Sequence, residues 1–280
     1  TCALPIYAGE RAALLADFAL WARAAQLPPP GDWTVWLMLG GRGAGKTRAG
    51  AEWVRGLALG IPPWSTAPVS PIALVAETLQ DAREVMVEGV SGVMALAGPE
   101  RPTWSPARRR LEWANGAVAQ AFSAEDPDSL RGPQFAAAWA DELAKWRHAD
   151  AAWDMLQFGL RLGRRPRQLV TTTPRPIPLL KRLLADPETA TSRMTTAENA
   201  ANLAPAFLDA VVGRYRGTRL GRQELDAELI AERADALFRR EAIEANRVAA
   251  APALRRIVVA VDPPAGTAGA ACGIVAAGIG

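Results

Sequence analysis

A glycine-rich octapeptide at residues 40–47, Gly-Gly-Arg-Gly-Ala-Gly-Lys-Thr, has the residue types and spacing of a phosphate-binding loop. It fits the pattern G-x-x-x-x-G-K-[ST], in which backbone N–H groups of the loop surround phosphate oxygens. In such a loop Lys46 reaches the β- and γ-phosphates of a nucleotide, and Thr47 ligates Mg²⁺. The sequence therefore predicts a site for ATP and Mg²⁺ formed by Gly40, Gly41, Arg42, Gly43, Ala44, Gly45, Lys46 and Thr47.

Two adjacent acids, Asp141 and Glu142, follow the apolar run at residues 135–140. At the end of a buried strand, the first acid of such a pair holds the Mg²⁺ shell. The second polarises the attacking water as a general base. We therefore assign Asp141 to the metal and Glu142 to catalysis. The alternative is a pair of acids that caps a helix, and the alanine-rich run is a weak strand signal.

Three consecutive threonines, Thr171, Thr172 and Thr173, end another apolar run. Their hydroxyls are candidates to bind the nucleotide, sensing its γ-phosphate and relaying the loss of that group to the rest of the domain. The alternative is an ordinary strand end made of β-branched residues.

Arginines form a second group of candidates. Arg42, inside the glycine-rich loop, is a candidate to stabilise charge on the transferring phosphoryl group, and otherwise faces solvent. Arg131 is a weaker candidate for phosphate or DNA contact. Basic runs at residues 108–110, 161–167 and 255–256 are either solvated surfaces or contacts for DNA.

The elements that must position these residues alternate between strands and helices. We predict strands at residues 34–39, 72–76, 135–140, 168–172 and 256–261, with a hairpin at 111–122 that turns at Asn115 and Gly116. We predict helices at residues 11–25, 47–59, 78–97, 152–160, 207–216 and 219–233. Strand signals become sparse after Asp186. This order favours an α/β fold, with a mostly parallel sheet covered by helices on both faces.

The same pattern predicts four regions. Residues 1–26 form an N-terminal helical segment, residues 27–200 the P-loop domain, residues 201–252 a helical connector and residues 253–280 the start of a further domain. The chain lacks a starting Met and ends in an apolar run at residues 273–280, so we expect a fragment that is cut at both ends.

Composition argues against several other classes of protein. The net charge is +3, which is compatible with nucleic acid but does not require it. Two distant cysteines and a single histidine, His148, argue against a zinc site, a disulfide framework and a Ser-His-Asp hydrolase, and they suit a reducing cytoplasm. No stretch of about eighteen apolar residues occurs, so we expect no membrane span. The N-terminal residues lack a basic region, so we expect no signal peptide.

Taken together, these segments resemble the large terminase subunit of tailed bacteriophages, prophages and gene transfer agents. The resemblance extends from Leu27 to Asp262 and rests on a combination of motifs rather than on any one of them. The motifs lie at residues 28–33 (PPPGDW), 40–47, 129–135 (SLRGPQF), 139–148 (WADELAKWRH), 171–176 (TTTPRP) and 261–263 (VDP).

The resemblance implies a P-loop ATPase of the additional-strand, catalytic-glutamate class, which moves double-stranded DNA into a procapsid. An RNase H-like nuclease that uses two Mg²⁺ or Mn²⁺ ions would follow. Arg42 would be the loop arginine, Thr171 to Thr173 the coupling motif, and Asp262 the first catalytic, metal-binding carboxylate of the nuclease. No Asp or Glu follows Asp262, so we expect a truncated nuclease domain that does not cut DNA. We also expect the strand at residues 256–261 to have unpaired backbone groups and an uncovered apolar face.

The resemblance also implies partners and a location. These are the portal protein, the small terminase subunit and a possible homo-oligomeric ring, in the host cytoplasm and transiently at the procapsid. A helicase or remodelling ATPase is the nearest alternative, but it would need a second motor domain to supply an arginine in trans, and the sequence has one pair of nucleotide motifs. A fragment without catalytic activity is the other alternative.

Overall fold

The structure, a computed structural model, describes residues 14, 16–96, 100–230, 243, 245–248, 250, 253–262 and 273–280. The chain divides into two compact units, Thr1–Ala231 and Glu232–Gly280. The first unit includes the glycine-rich loop and the early part of the predicted connector. Asp262 belongs to the second unit. None of the helices in the described part of the chain combines the length and hydropathy that a bilayer span requires.

The first unit is built on an eight-stranded sheet. Its strands are β1 (Val35–Gly40), β2 (Ile72–Ala76), β3 (Thr103–Ser105), β4 (Arg110–Glu112), β5 (Val118–Ser123), β6 (Ala137–Asp141), β7 (Arg167–Thr172) and β8 (Thr189–Met194). Their order is β3-β4-β5-β2-β6-β7-β1-β8. All neighbours from β5 to β8 pair in parallel, whereas β3, β4 and β5 pair antiparallel. Because β7 lies between β1 and β6, the residues that follow these three strands share one edge of the sheet.

Helices cover the sheet and form the connector. In the described part of the first unit, the α-helices are α1 (Phe18–Trp21), α2 (Lys46–Leu59), α3 (Leu79–Asp81), α4 (Ala149–Gly159), α5 (Pro178–Ala185), α6 (Pro205–Phe207), α7 (Gly213–Tyr215) and α8 (Arg219–Glu224). Two π-helical segments follow α3 and α6, at Ala82–Val87 and Leu208–Val212. Short 3₁₀-helices lie at Ala24–Gln26, Val93–Ala95, Pro127–Leu130, Leu143–Lys145 and Ala197–Asn202.

Two hydrophobic clusters lie on opposite faces of the sheet, because successive side chains of a strand point to opposite sides. Trp36 and Met38 of β1 belong to the cluster beneath α2. Leu37 and Leu39 belong to the cluster beneath α4 and α5. Strands buried on both faces read as continuous apolar runs, as β1 and β2 do in the sequence. The predicted α/β fold with a mostly parallel sheet is therefore confirmed for this unit.

The predicted N-terminal helix at residues 11–25 is helical in much of its described part but is interrupted at Ala22 and Arg23. A helix of four residues begins after Asp17, whose side chain caps it, and the backbone is extended at Ala22 and Arg23. The break lets Arg23 and Gln26 donate hydrogen bonds to carbonyls of the glycine-rich loop. Tertiary contacts therefore override the helical pattern of this segment. Residues 11–13 and 15 lie outside the described residues.

The predicted helix at residues 78–97 is correct at its start and too long at its end. The Thr78 hydroxyl caps it by accepting from Asp81 N at 2.9 Å. The helical turns end at Val87, and Val90 is exposed. Gly89 and Gly92 pack so tightly on carbonyls of the preceding turns that a Cβ would overlap them, and glycine also disfavours helix. Ala97 lies outside the described residues.

Three strands, β3, β8 and a strand of the second unit, were not predicted where they occur. β8 is the edge strand beside β1, and its half-exposed sequence Thr-Ala-Thr-Ser-Arg-Met lacks an apolar run. In the second unit, β9 (Arg256–Asp262) pairs antiparallel with β10 (Gly273–Ile279). The expectation that the last predicted strand has no partner is therefore wrong. Its apolar side chains Ile257, Val259 and Val261 are nevertheless exposed, as expected.

Candidate phosphate-binding site

The glycine-rich loop joins β1 to the N-terminus of α2. Gly43 and Gly45 adopt left-handed backbone conformations, with φ of 69° and 88°. A side chain at either position would be strained, so glycine is required for this curve. α2 begins at Lys46, which brings the positive end of the helix dipole to the loop. Backbone conformation and helix direction are thus those of an anion-binding loop.

The Lys46 ammonium lies at the centre of the site and is almost entirely buried. It donates to the carbonyl oxygens of Gly40 at 2.9 Å and Gly41 at 3.2 Å. It also donates to Thr173 Oγ1 at 3.2 Å and lies 3.3 Å from Glu142 Oε1. One cation therefore joins the loop after β1, the acid after β6 and the hydroxyl after β7.

Asp141 ends β6 directly opposite Thr171 of β7. Its Oδ1 accepts a hydrogen bond of 2.6 Å from the Thr171 hydroxyl. Burial, and then the neighbouring charge of Glu142, raise the pKa of Asp141 from 3.8 to about 6. A nearby cation stabilises the ionised form of a buried carboxylate, so the position of Asp141 suits a metal ligand.

Glu142 has a left-handed backbone conformation, with φ of 49°. A non-glycine residue pays conformational strain there, and such strain is concentrated at functional sites. The Glu142 carboxylate accepts from Thr173 N at 3.1 Å as well as pairing with Lys46. The carboxylate is 31% exposed, so water can reach it. The Glu142 side chain makes no capping hydrogen bond to the 3₁₀-helix that follows it, so the geometry does not support a pair of helix-capping acids.

The three threonines differ in what their hydroxyls contact. Thr171 bonds Asp141, and Thr172 Oγ1 accepts from Ala144 N at 3.0 Å. Thr173 is the one of the three whose hydroxyl meets Lys46. The Thr173 hydroxyl therefore lies beside Lys46, whereas the hydroxyls of Thr171 and Thr172 contact Asp141 and the segment that follows Glu142.

Arg42 points away from the buried centre, with 69% of its side chain exposed. Its Nε lies 3.0 Å from Glu224 Oε2, and its backbone N–H donates to Glu224 O at 2.7 Å. Its carbonyl accepts from Thr196 Oγ1 at 2.7 Å. The side chain is therefore neither free in solvent nor turned inward, but paired with the last residue of α8.

Residues distant in sequence contact the rest of the loop. Arg23 donates to Ala44 O, Gln26 to Gly45 O at 3.2 Å, and Asn199 to Gly43 O at 2.6 Å. These contacts hold the loop from both the N-terminal segment and the 3₁₀-helix at Ala197–Asn202. These three residues were not predicted as part of the site, because a local sequence pattern contains no information on partners that are distant along the chain.

The remaining candidates lie elsewhere. Arg131 is 74% exposed, near Asp128, and lines a groove of about 170 Å³ together with Phe158 and Arg161. Other members of the basic runs are paired: Arg108 and Arg110 with Glu112, and Arg165 with Asp32. Asp262 ends β9, opposite Gly273 of β10.

A model of one protein family matches residues 37–245, and its description is "Terminase large subunit, T4likevirus-type, N-terminal". No curated protein sequence matches significantly.

Among solved structures, the ATPase domain of the Thermus phage P74-26 large terminase is similar, with a TM-score of 0.55 and 18% identity over 81% of this chain and 100% of that one. The large terminase of a second, thermophilic bacteriophage gives a TM-score of 0.57 and 14% identity over 79% of this chain. The complex of that second terminase with ATP-gamma-S gives a TM-score of 0.56 and 13% identity over 79% of this chain. The chain spans about half of the second terminase, 53% and 52% in these two structures. At these identities the likeness establishes a shared fold.

Proposed function

The chain belongs to the family of T4likevirus-type terminase large subunits, and we propose that its first unit is the ATPase that drives double-stranded DNA into a procapsid. The contact of Lys46 with both Glu142 and Thr173 carries this proposal. It brings a phosphate-binding cation, a candidate general base and a γ-phosphate sensor within hydrogen-bond distance of one another, beyond the ends of three adjacent strands of one sheet.

Residues of the loop fit a nucleoside triphosphate. Gly40, Gly41, Gly43, Ala44 and Gly45 shape a backbone that approaches phosphates without side-chain obstruction, and Lys46 meets the β- and γ-phosphates. Thr47, in the first turn of α2, and Asp141 would hold Mg²⁺, which is commonly bound by few protein ligands together with substrate phosphates. When bound, the ion neutralises charge that develops on the phosphate oxygens.

Glu142 acts as the general base. It takes a proton from a water molecule whose oxygen attacks the γ-phosphorus, the bond from that phosphorus to the bridging oxygen breaks, and ADP and phosphate leave. The γ-phosphate competes with Glu142 for the Lys46 ammonium. Binding of ATP therefore weakens the ion pair between Lys46 and Glu142 and frees the carboxylate for the water.

Arg42 leaves Glu224 to meet the transferring phosphoryl group. Its side chain is free to do so because 69% of it is exposed, and the pair with Glu224 is one ion pair at the protein surface, where such pairs typically contribute about 1 kcal/mol or less. Since Glu224 ends α8 of the connector, this exchange links the state of the nucleotide to the connector.

Thr173, which contacts Lys46 and Glu142, senses the γ-phosphate. Thr171 and Thr172 relay the loss of that phosphate through Asp141 and the segment after Glu142.

The second unit is proposed to begin a nuclease domain, with Asp262 as its first metal-binding, catalytic carboxylate. Two-metal cleavage with Mg²⁺ or Mn²⁺ needs several carboxylates, and none follows Asp262 in this sequence. The portal protein, the small terminase subunit, ring assembly and action in the host cytoplasm at the procapsid are further parts of the proposal, and they rest on the family.

ATP hydrolysis by the purified chain, measured with double-stranded DNA and with and without procapsids that carry a portal, tests this function. We expect DNA to stimulate hydrolysis and portal-bearing procapsids to stimulate it further. Unwinding of a duplex in the same reactions would favour a helicase instead. Failure to bind ATP at all would favour a fragment without catalytic activity.

A further inference from the structure

Trp139 is a fully buried residue of β6 that lies on the same face of the sheet as Asp141, two positions later. Its indole ring packs directly on Gly50 of α2, where a Cβ would overlap the ring. Gly50 is one turn beyond Lys46 in the helix that starts at the loop. The ring therefore touches the loop helix on one side and belongs to the strand of the acids on the other.

A chain of two hydrogen bonds runs from this ring to the carboxylate. Trp139 Nε1 donates to Thr171 Oγ1 at 2.8 Å, and Thr171 Oγ1 donates to Asp141 Oδ1 at 2.6 Å. The Ala140 carbonyl is a more distant acceptor for the same hydroxyl, at 3.4 Å. All of these side chains are buried, so no bulk water competes for the bonds.

The direction of these bonds is determined by chemistry. An indole N–H is a donor only, so the Thr171 oxygen must accept from it. The single hydroxyl proton of Thr171 is then directed to the carboxylate. Hydrogen bonds in such a chain polarise and strengthen one another in a low-dielectric interior. Without the indole donor, the hydroxyl is free to rotate towards the Ala140 carbonyl.

We propose that Trp139 is a positioning residue of the ATPase site, which sets the orientation of the Asp141 carboxylate through the Thr171 hydroxyl. This rests on the proposed function, in which Asp141 holds the Mg²⁺ of the bound nucleotide. The Thr171 hydrogen bond to Oδ1 fixes the plane of the carboxylate, and this orientation would determine how Asp141 meets the metal. Because the same ring packs on α2, the alignment of Asp141 also depends on the position of the loop helix.

The test is the Mg²⁺-dependent tightening of nucleotide binding, which needs no turnover. The dissociation constant of mant-labelled ATP-γ-S is measured by fluorescence anisotropy in EDTA and in Mg²⁺, and the ratio of the two is compared between variants. Trp139→Phe keeps an aromatic ring and removes the N–H. We expect its affinity in EDTA to stay within about twofold and the Mg²⁺-dependent ratio to fall roughly tenfold, as is typical when a residue that orients a metal ligand is lost.

Trp36→Phe is the matched control. Trp36 is also fully buried in the cluster beneath α2, and its Nε1 donates to Ser192 Oγ at 2.9 Å, away from the acids. This variant loses the same kind of bond and should lower the melting temperature, yet it should leave the Mg²⁺-dependent ratio unchanged. An equal loss of the ratio in both variants would mean that any core defect weakens metal binding, which would overturn the proposal.

Variants of Thr171 test the path itself. Thr171→Val should lower the Mg²⁺-dependent ratio as Trp139→Phe does, whereas Thr171→Ser, which keeps the hydroxyl, should retain the wild-type ratio. Trp139→Phe combined with Thr171→Val should give the same ratio as Thr171→Val alone, because both substitutions act through one hydroxyl. An unchanged ratio in folded Trp139→Phe, or in Thr171→Val if Trp139→Phe does not fold, would overturn the proposal. Wild-type protein that binds the nucleotide equally with and without Mg²⁺ would overturn the proposed function as well.

Discussion

Replacing Asp141 with asparagine should make the protein more stable at neutral pH while disabling its proposed metal site. Burial, and then the charge of Glu142, raise the pKa of this carboxyl from 3.8 to about 6. The folded protein therefore binds a proton more readily than the unfolded chain does. Stability gained from the protonated form is complete below about pH 4 and is lost as pH rises through about 6.

The magnitude follows from the size of this shift. Raising a pKa from 3.8 to about 6 corresponds to about 3 kcal/mol of unfolding free energy. Asparagine is neutral at every pH, so it never incurs this loss. Because the unfolded carboxyl is already more than half ionised at pH 4, the stability of Asp141→Asn minus that of wild type should increase by about 2.5 kcal/mol between pH 4 and pH 7. Any constant effect of the amide on packing cancels in this comparison.

Urea unfolding in EDTA, without nucleotide, measures this difference at intervals from pH 4 to pH 7. All ten tryptophans precede residue 232, so intrinsic fluorescence reports on the first unit. Asp154→Asn, which neutralises an exposed carboxylate on α4, is the control and should follow wild type at all pH values. Parallel pH profiles for wild type and Asp141→Asn would refute the reasoning, because they would show that Asp141 ionises normally in the folded protein.

Four further variants test Lys46, Arg42 with its partner Glu224, and Asp262. Lys46→Ala should abolish nucleotide binding in a titration with a fluorescent ATP analogue, since it removes the main side-chain charge on the phosphates; unchanged affinity would exclude Lys46 from the site. Arg42→Ala should lower turnover roughly 10²-fold with little change in affinity, because it acts on charge that develops in the transition state. Glu224→Gln removes only the ion pair with Arg42 and should retain turnover. If Arg42→Ala lost affinity alone, with normal turnover, Arg42 would instead be a ground-state phosphate ligand. The 280-residue chain should not nick plasmid DNA in Mn²⁺, and nicking that disappears in Asp262→Ala would contradict this.

The elements around the loop could be predicted from sequence because local signals agree with the fold there. β1 and α2 lie within one residue of their predicted bounds. The apolar run, the glycines and the helical period all point to one local structure, and burial on both faces of the sheet makes β1 uniformly apolar. Asp141 and Glu142 were located for the same reason, since they follow a buried strand.

Other features depend on contacts that no local pattern contains. β8 is polar because it lies at the edge of the sheet, where most of its residues are partly or fully exposed to solvent. The extended backbone at Ala22 and Arg23 is explained by hydrogen bonds to the glycine-rich loop. The role suggested for Trp139 required the pairing register of β6 and β7, which places Thr171 opposite Asp141. The sequence shows an unremarkable aromatic residue at that position.

The most direct test of the account is phosphate release from Mg²⁺-ATP by wild-type protein and by Glu142→Gln. Glu188→Gln, an exposed acid that precedes β8 at the opposite end of the sheet, serves as the matched control. We predict that Glu142→Gln binds ATP nearly as wild type does and hydrolyses it at least about a hundredfold more slowly, because general-base catalysis typically contributes 10² to 10⁴ in rate. Glu188→Gln should match wild type. Full turnover by Glu142→Gln would contradict the account.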